Sequence, residues 1–193
     1  DQVTVSATGG GLPYTTGKYI FVDNATGASG NDGLDPSAPV ATLAQGYALA
    51  TADSGDILVL FPSHAETITA TITLGTSGVA IYGLRTVYTR PTITMNGAGG
   101  AFTGLTFSAG DQRVSGLTVT VTGGAVTAGM IVNAGINSLI IEDCIFDMPA
   151  NARIGIDFGG ASTGTSITRC RFEVTANGPT FGIRASGGAL TRC

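Results

Sequence analysis

IIEDCIFDMPANARIGIDFGGASTGTSITRCRF, Ile140 to Phe172, carries one short phrase twice. IIEDCIF (140–146) and SITRCRF (166–172) each place a phenylalanine two residues after a cysteine. Working outward, AIYGLRT (80–86), RVSGLTV (113–119) and the terminal ALTRC (189–193) fall on the same frame. One column then holds Leu84, Leu117, Cys144, Cys170 and Cys193, at intervals of 33, 27, 26 and 23. A second column comes from FTGLTF, TAGMIV, RIGIDF and TFGIRA, which align Gly104, Gly129, Gly155 and Gly182 at intervals of 25, 26 and 27. Two columns advancing with nearly one period mark a solenoid. A coil of about 26 residues with two or three short strands and no helix is a parallel β-helix rung, stacked at ~4.8 Å. The expected fold is therefore all-β, with equal coil positions lying above one another. Leu84, Leu117 and the three cysteines would form an inward column, with Val119, Phe146 and Phe172 also inward by strand alternation. Cysteine there reads as a small buried hydrophobe; disulfides and metal ligation are the alternatives. The cysteines are odd in number and lack both CxxC and zinc spacing.

The 193 residues suffice for one substantial domain. Charged residues are 11% of the chain, well below the roughly 25% usual in globular chains. Such a chain suits an elongated β-structure or one partly hidden in an assembly. Lys18 is the only lysine, the arginines are scattered and the net charge is −4, so no basic stripe argues for nucleic acid. The longest apolar runs, such as Ile57 to Phe61, fall short of the ~20 residues that span a bilayer.

Residues 1–18 read as an extended arm or linker, and 19–193 as the β-helix domain. Within it, 19–60 form a cap region and 61–193 the rungs. Val40, Leu43, Ala44 and Tyr47 fall at i, i+3, i+4 and i+7, which predicts a helix over about 39–52. Asp35 or Ser37 would cap it and Gly55 would stop it. Strand-like runs follow at 56–61, 67–74, 79–84, 92–96, 102–107, 114–121, 128–132, 139–146, 154–158, 167–174 and 181–185. A solenoid exposes strand edges and a cut core at its ends, so Val40, Leu43 and Tyr47 would plug the first. The chain stops at Cys193 in mid-coil, and the expectation is that the natural protein continues or another subunit covers that end.

The segment YIFVDNATGASGNDGLDPSAPVATLAQGYALATADSGDILVLFPSHAETIT (19–69) resembles the opening of a family common in bacteriophage and environmental viral sequences. The shared features are a strand ending in Val-Asp, a Gly-Ser-Asn-Asp-Gly-Leu-x-Pro type of loop, an Ala-Thr-Leu helix start, then Gly-Asp-x-Ile-x-Val and Pro-x-His-Ala-Glu-Thr-Ile. Those proteins look like right-handed, pectate-lyase-like β-helices and are mostly virion components: tailspikes, fibres or capsid-attached proteins, often trimers. The resemblance is close over about 19–70 and extends to 79–193 only as coil pattern. Similar capped openings occur in extracellular bacterial proteins and in polysaccharide-active enzymes, and fold does not imply function.

Candidate chemistry is sparse. His64, the sole histidine, has Glu66 nearby but no nucleophile or metal spacing, and reads as a coil-corner or cap contact. Asp23, Asn31, Asp32 and Asp35 offer oxygens but no calcium-loop spacing, and read as turn residues. The frame stacks Asp157 on Arg184 and Asp143 on Arg169, pairs worth ~0.2–1 kcal/mol each. It also stacks Asp147 on Glu173, two carboxylates ~5 Å apart, near the ~5–5.5 Å separation of retaining glycosidases; a splayed turn at Met148-Pro149 is the plainer reading. These two are the low-ranked catalytic candidates.

The expected function is a non-enzymatic virion structural protein, a capsid decoration, fibre or tailspike anchor, with the arm as attachment segment. Its expected partners are other virion proteins, further copies of itself (a trimer) and a host surface glycan, with no cofactor, nucleic acid or membrane. The alternatives are a polysaccharide lyase or glycoside hydrolase, and a bacterial surface or adhesion module.

Overall fold

A computed structural model describes residues 12–97, 103–122, 131–148, 154–174, 181–186 and 190–191. Residues 1–11 of the expected arm lie outside the described residues. Three parallel sheets wind through the rest. The first stacks β1 (Tyr19–Val22), β2 (Ile57–Leu60), β5 (Ala80–Gly83), β8 (Arg113–Ser115), β11 (Ile140–Glu142) and β15 (Ser166–Thr168). The second stacks β3 (Ala65–Ile68), β6 (Thr92–Asn96), β9 (Thr118–Thr122), β12 (Ile145–Met148) and β16 (Arg171–Val174). The third stacks β4 (Ile72–Leu74), β7 (Leu105–Phe107), β10 (Ile131–Asn133), β13 (Ile154–Phe158) and β17 (Phe181–Ala185). β14 (Ser162–Thr163) and β18 (Leu190–Thr191) make a short fourth ladder. From β2 onward each coil gives one strand to each main sheet, and every described pairing is parallel; this is a parallel β-helix.

Alternation decides the core. Leu58, Ile81, Val114, Ile141 and Ile167 stack in register on the first sheet. Ile72, Leu105, Ile131, Ile156 and Ile183 do so on the third. Nearly all of those short of the last coil are fully buried, and each such side chain contributes about 1.5–3 kcal/mol relative to exposure. On the second sheet Val119, Phe146 and Phe172 are vertical neighbours, as the repeat predicts. The Phe146 and Phe172 rings stack with centroids 4.9 Å apart and planes within 12°. Their separation is the coil spacing itself.

Long sequence runs become two strands each, because the chain turns a corner inside them. Residues 114–121 split around Gly116, 139–146 around Asp143 and 167–174 around Arg169, at φ of +78°, +53° and +53°. Glycine takes that left-handed turn freely and aspartate tolerates it; arginine does so at a cost. A Cβ on Gly116 would lie 2.4 Å from the Gly83 carbonyl oxygen, so that corner also needs glycine for close approach.

The helix, α1 (Leu43–Ala48), is shorter than the predicted 39–52. Val40 is drawn into a bridge with Val22 instead. Thr42, not Asp35 or Ser37, caps it: its hydroxyl accepts from the Gln45 N–H while the Gln45 side chain accepts from the Thr42 N–H. It ends at Leu49, so Gly55 (φ +76°) serves the turn before β2 rather than the helix stop. The predicted face nevertheless holds. Val40, Leu43 and Tyr47 are buried, and Gly46 lets α1 press onto Val22, where a Cβ would approach to 2.6 Å. α1 thus covers the first coils.

Three column assignments need correction. Leu84 is half-buried and outside the core; the chain leaves the coil there. Buried Pro91 stands below Leu117 instead, its carbonyl accepting from the Thr118 N–H. Gly104, Gly155 and Gly182 immediately precede Leu105, Ile156 and Ile183, but Ile131, their partner in register, comes two residues after Gly129, an offset of one. Gly129 itself lies outside the described residues. Leu190 and Thr191 pair with Ser162 and Thr163, five residues upstream of the cysteine alignment, and Cys193 lies outside the described residues.

Candidate binding groove

The long interval from Leu84 to Leu117 owes its surplus to a loop, residues 84–91, inserted at the corner between the first and second sheets. Both its ends are clamped. Arg85 Nη1 lies 3.2 Å from Asp143 Oδ2 and Arg90 Nη2 lies 3.7 Å from Asp143 Oδ1, while Arg90 Nη1 also donates to the Asp143 carbonyl. The reach passes Gly116, the corner with no side chain in the way. Inside the loop Thr86 N–H donates to the Thr89 carbonyl at 2.9 Å, and the Thr86 hydroxyl accepts from the Tyr88 and Thr89 N–H groups. This tight turn leaves Val87 and Tyr88 at its tip, 89% and 94% exposed.

Beneath the loop runs a groove of about 1110 Å³. Its floor is one vertical column of the second sheet: Ala65, Thr92, Thr118, Ile145 and Arg171, each in register with the next. At ~4.8 Å per coil it is roughly 19 Å long. The walls add Arg85, Arg90 and Tyr88. Two guanidinium groups face the single carboxylate of Asp143, so this corner is locally positive in a chain of net charge −4. The arrangement combines a flat aromatic, hydroxyls and guanidinium donors along an open trough.

Asp147 and Glu173 are vertical neighbours one column away, as predicted. Each has a partner of its own: the Thr120 hydroxyl donates to Asp147 at 3.0 Å, and Arg171 meets Glu173 at 2.5 Å. The buried Asp157 receives Arg184 through two contacts at 3.2 and 2.5 Å, which fulfils that predicted pair. The Asp157 hydrogen bond raises the Arg184 pKa, outweighing the burial that opposes its charge. Asp143 and Arg169 occupy stacked corners, yet their charges pair elsewhere, Asp143 with Arg85 and Arg90 and Arg169 with Glu142 at 3.1 Å, because side chains on left-handed corners diverge from the strand direction.

His64 is a cap contact. Its Nδ1 accepts from the Asn24 N–H at 3.1 Å. Its Nε2 lies 3.2 Å from Glu66 Oε2, in a geometry too bent for a hydrogen bond. Glu66 points inward and accepts the N–H of Leu43, the first residue of α1, at 2.8 Å. The loop oxygens are turn ligands: Asp23 accepts from Ala25, Thr26 and Ser63, Asp32 from Leu34, and Asp35 from Ser37, while Asn31 donates to the Pro39 carbonyl. Hydrogen bonds from Ser37 hold the Asp35 carboxyl below its usual range.

No family model matches this chain, and no curated protein does. A solved rhamnogalacturonan lyase is 15% identical with a TM-score of 0.49, over 81% of this chain and 51% of the lyase. The chain thus spans about half the length of that protein.

Proposed function

We propose that this β-helix is a non-catalytic structural component of a virion, a capsid decoration, a fibre or the anchoring part of a tailspike, whose side groove holds a glycan of the host surface. The observation that carries the glycan is the clamped loop: Arg85 and Arg90 fix both ends, so the backbone that presents Tyr88 is ordered before binding and its ordering cost is reduced. A pyranose and its linkage advance by about one coil spacing, so successive rings would meet Thr92, Thr118, Ile145 and Arg171 in turn. The partners found for Asp147 and Glu173 favour a structural role for both. Low charge and one lysine favour burial against other virion proteins, and the likeness of residues 19–70 to virion β-helices favours that setting.

The test is binding of the full chain to immobilised host polysaccharides, read beside release of reducing ends. Binding that falls at least tenfold in Y88A, without chain shortening, is the expected result. Shortening abolished by D147N or E173Q would replace this reading with a glycosidase using that pair. Immunogold labelling of purified particles tests the setting; unlabelled particles would move the protein to the bacterial surface.

A further inference from the structure

Cys144 and Cys170 stand at equal positions on adjacent coils, fixed by the register of Glu142 with Thr168 before them and Ile145 with Arg171 after them. Each follows a corner residue of the same conformation, Asp143 and Arg169, both at φ +53°, so the two side chains leave the backbone in the same direction. Stacked strands hold their Cα atoms at about 4.8 Å, inside the ~4.4–6.8 Å range that a disulfide spans. Both are free thiols; Cys144 is buried and Cys170 is half-buried. The Cys144 thiol donates to the Glu142 carbonyl at 3.3 Å and the Cys170 thiol to the Thr168 carbonyl at 3.4 Å, so neither sulfur is tied up as an acceptor.

We propose that Cys144 and Cys170 form a hydroperoxide-reactive dithiol, in which Cys170 is the attacking thiolate and Cys144 the resolving thiol. Cys170 S⁻ attacks the terminal oxygen of the hydroperoxide. An S–O bond forms, the O–O bond breaks and the leaving alkoxide or hydroxide takes a proton, giving the sulfenic acid. The Cys144 thiol then loses its proton and attacks that sulfur. The S–S bond forms as the S–O bond breaks, and water leaves. Two thiols and one hydroperoxide yield one disulfide, one alcohol (or water) and one water.

The asymmetry between the two thiols favours this division of roles. The neighbouring Cys144 thiol, a donor to the ionised sulfur, pulls the Cys170 thiol down to about 7, although burial and the carboxylates of Asp143 and Glu142 oppose it. The Cys170 sulfur beside it, and burial, push Cys144 well up, with Arg90 opposing. Cys170 is the more exposed of the two and so the one an oxidant meets first.

The experiment treats the full chain with hydrogen peroxide and maps linkages by peptide mass spectrometry. The expected product is a Cys144–Cys170 disulfide, lower in mass by two hydrogens. In C144A a dimedone adduct should appear on Cys170 instead. Alkylation of wild-type Cys170 should reach half its maximal rate near pH 7, and in C144A that midpoint should move toward the ordinary thiol value of about 8.5. A disulfide through Cys193, overoxidation of Cys170 with Cys144 untouched, or a midpoint unchanged by C144A would each overturn the proposal. The wild-type map needs no variant to fold.

Discussion

Replacing Tyr47 by phenylalanine tests how the cap is tied to the coils. The Tyr47 hydroxyl accepts from the Thr76 N–H at 2.7 Å and from Gln112 Nε2 at 2.6 Å, and lies 3.0 Å from the Thr76 carbonyl, to which it donates. Y47F keeps the buried ring and opens no cavity of note. It strands the Thr76 N–H, while Gln112 keeps its 2.9 Å bond to the Thr76 carbonyl. A buried donor left unmade costs about 1–3 kcal/mol and each ordinary bond about 0.5–1.5 kcal/mol, so Y47F should lose about 2–3 kcal/mol. At ~2–4 °C per kcal/mol for this size, the melting temperature should fall by about 4–12 °C. Gln112 Oε1 is buried without a partner among the described residues, so Q112L removes a liability along with two bonds and should cost less than Y47F. The double variant should then lose less than the sum, by about 1 kcal/mol or more. Urea midpoints at constant m-value measure all three. Alkali adds a second reading. Burial, the largest influence, raises the Tyr47 hydroxyl against its hydrogen bonds. Its contribution is present below pH ~10 and lost as pH rises through the raised native value, so the gap between wild type and Y47F should narrow there. A loss in Y47F below about 0.5 kcal/mol, the lower end for one ordinary hydrogen bond, refutes the tie, as does strict additivity with Q112L.

F146A should lose about 3–5 kcal/mol, because Phe146 is fully buried and stacked on Phe172, whereas F146L should lose markedly less; equal losses in urea would mean that the stack is not what holds those coils. Asp56 ties the segment before β1 to the first coil, accepting the N–H groups of Lys18 and Thr51 at 2.8 Å each with Lys18 Nζ at 3.5 Å. Burial, the largest single influence, would raise its carboxyl, but these donors and the ammonium together lower it. Its stabilisation is therefore present above the unfolded value of about 3.9 and lost as pH falls through the depressed native value. Tyrosine emission, unobscured because there is no tryptophan, should report loosening there in the wild type but not in D56N.

The stacking was legible because a parallel solenoid places equal coil positions over one another, so Leu117, Cys144 and Cys170 repeat as a column whatever fills the space between. Corners were not legible: Asp143 and Arg169 look like strand residues, and only Gly116 announces a left-handed turn. Nor was the helix start. The 3.6-residue pattern from Val40 is satisfied equally by a bridge to Val22 followed by a short helix, and tertiary pairing decided. For the groove, the long interval before Leu117 was the available signal. It marks an insertion but not its position, since Leu84 and Pro91 are both apolar and either could sit beside Leu117. The partners of the charges needed coordinates, because arginine is long enough to pass over a glycine corner and choose among several carboxylates.

The excursion at 84–91 also defines where this scaffold can be lengthened. β5 ends and β6 resumes in ladders set by strands above and below, so register does not depend on how many residues lie between. Doubling a flexible connection costs only about 0.6 kcal/mol in closure entropy. Peptide cargo spliced between Thr86 and Thr89 would therefore ride on the flank of the spiral while the stack beneath stays intact, making this corner a display position for grafted epitopes or tags.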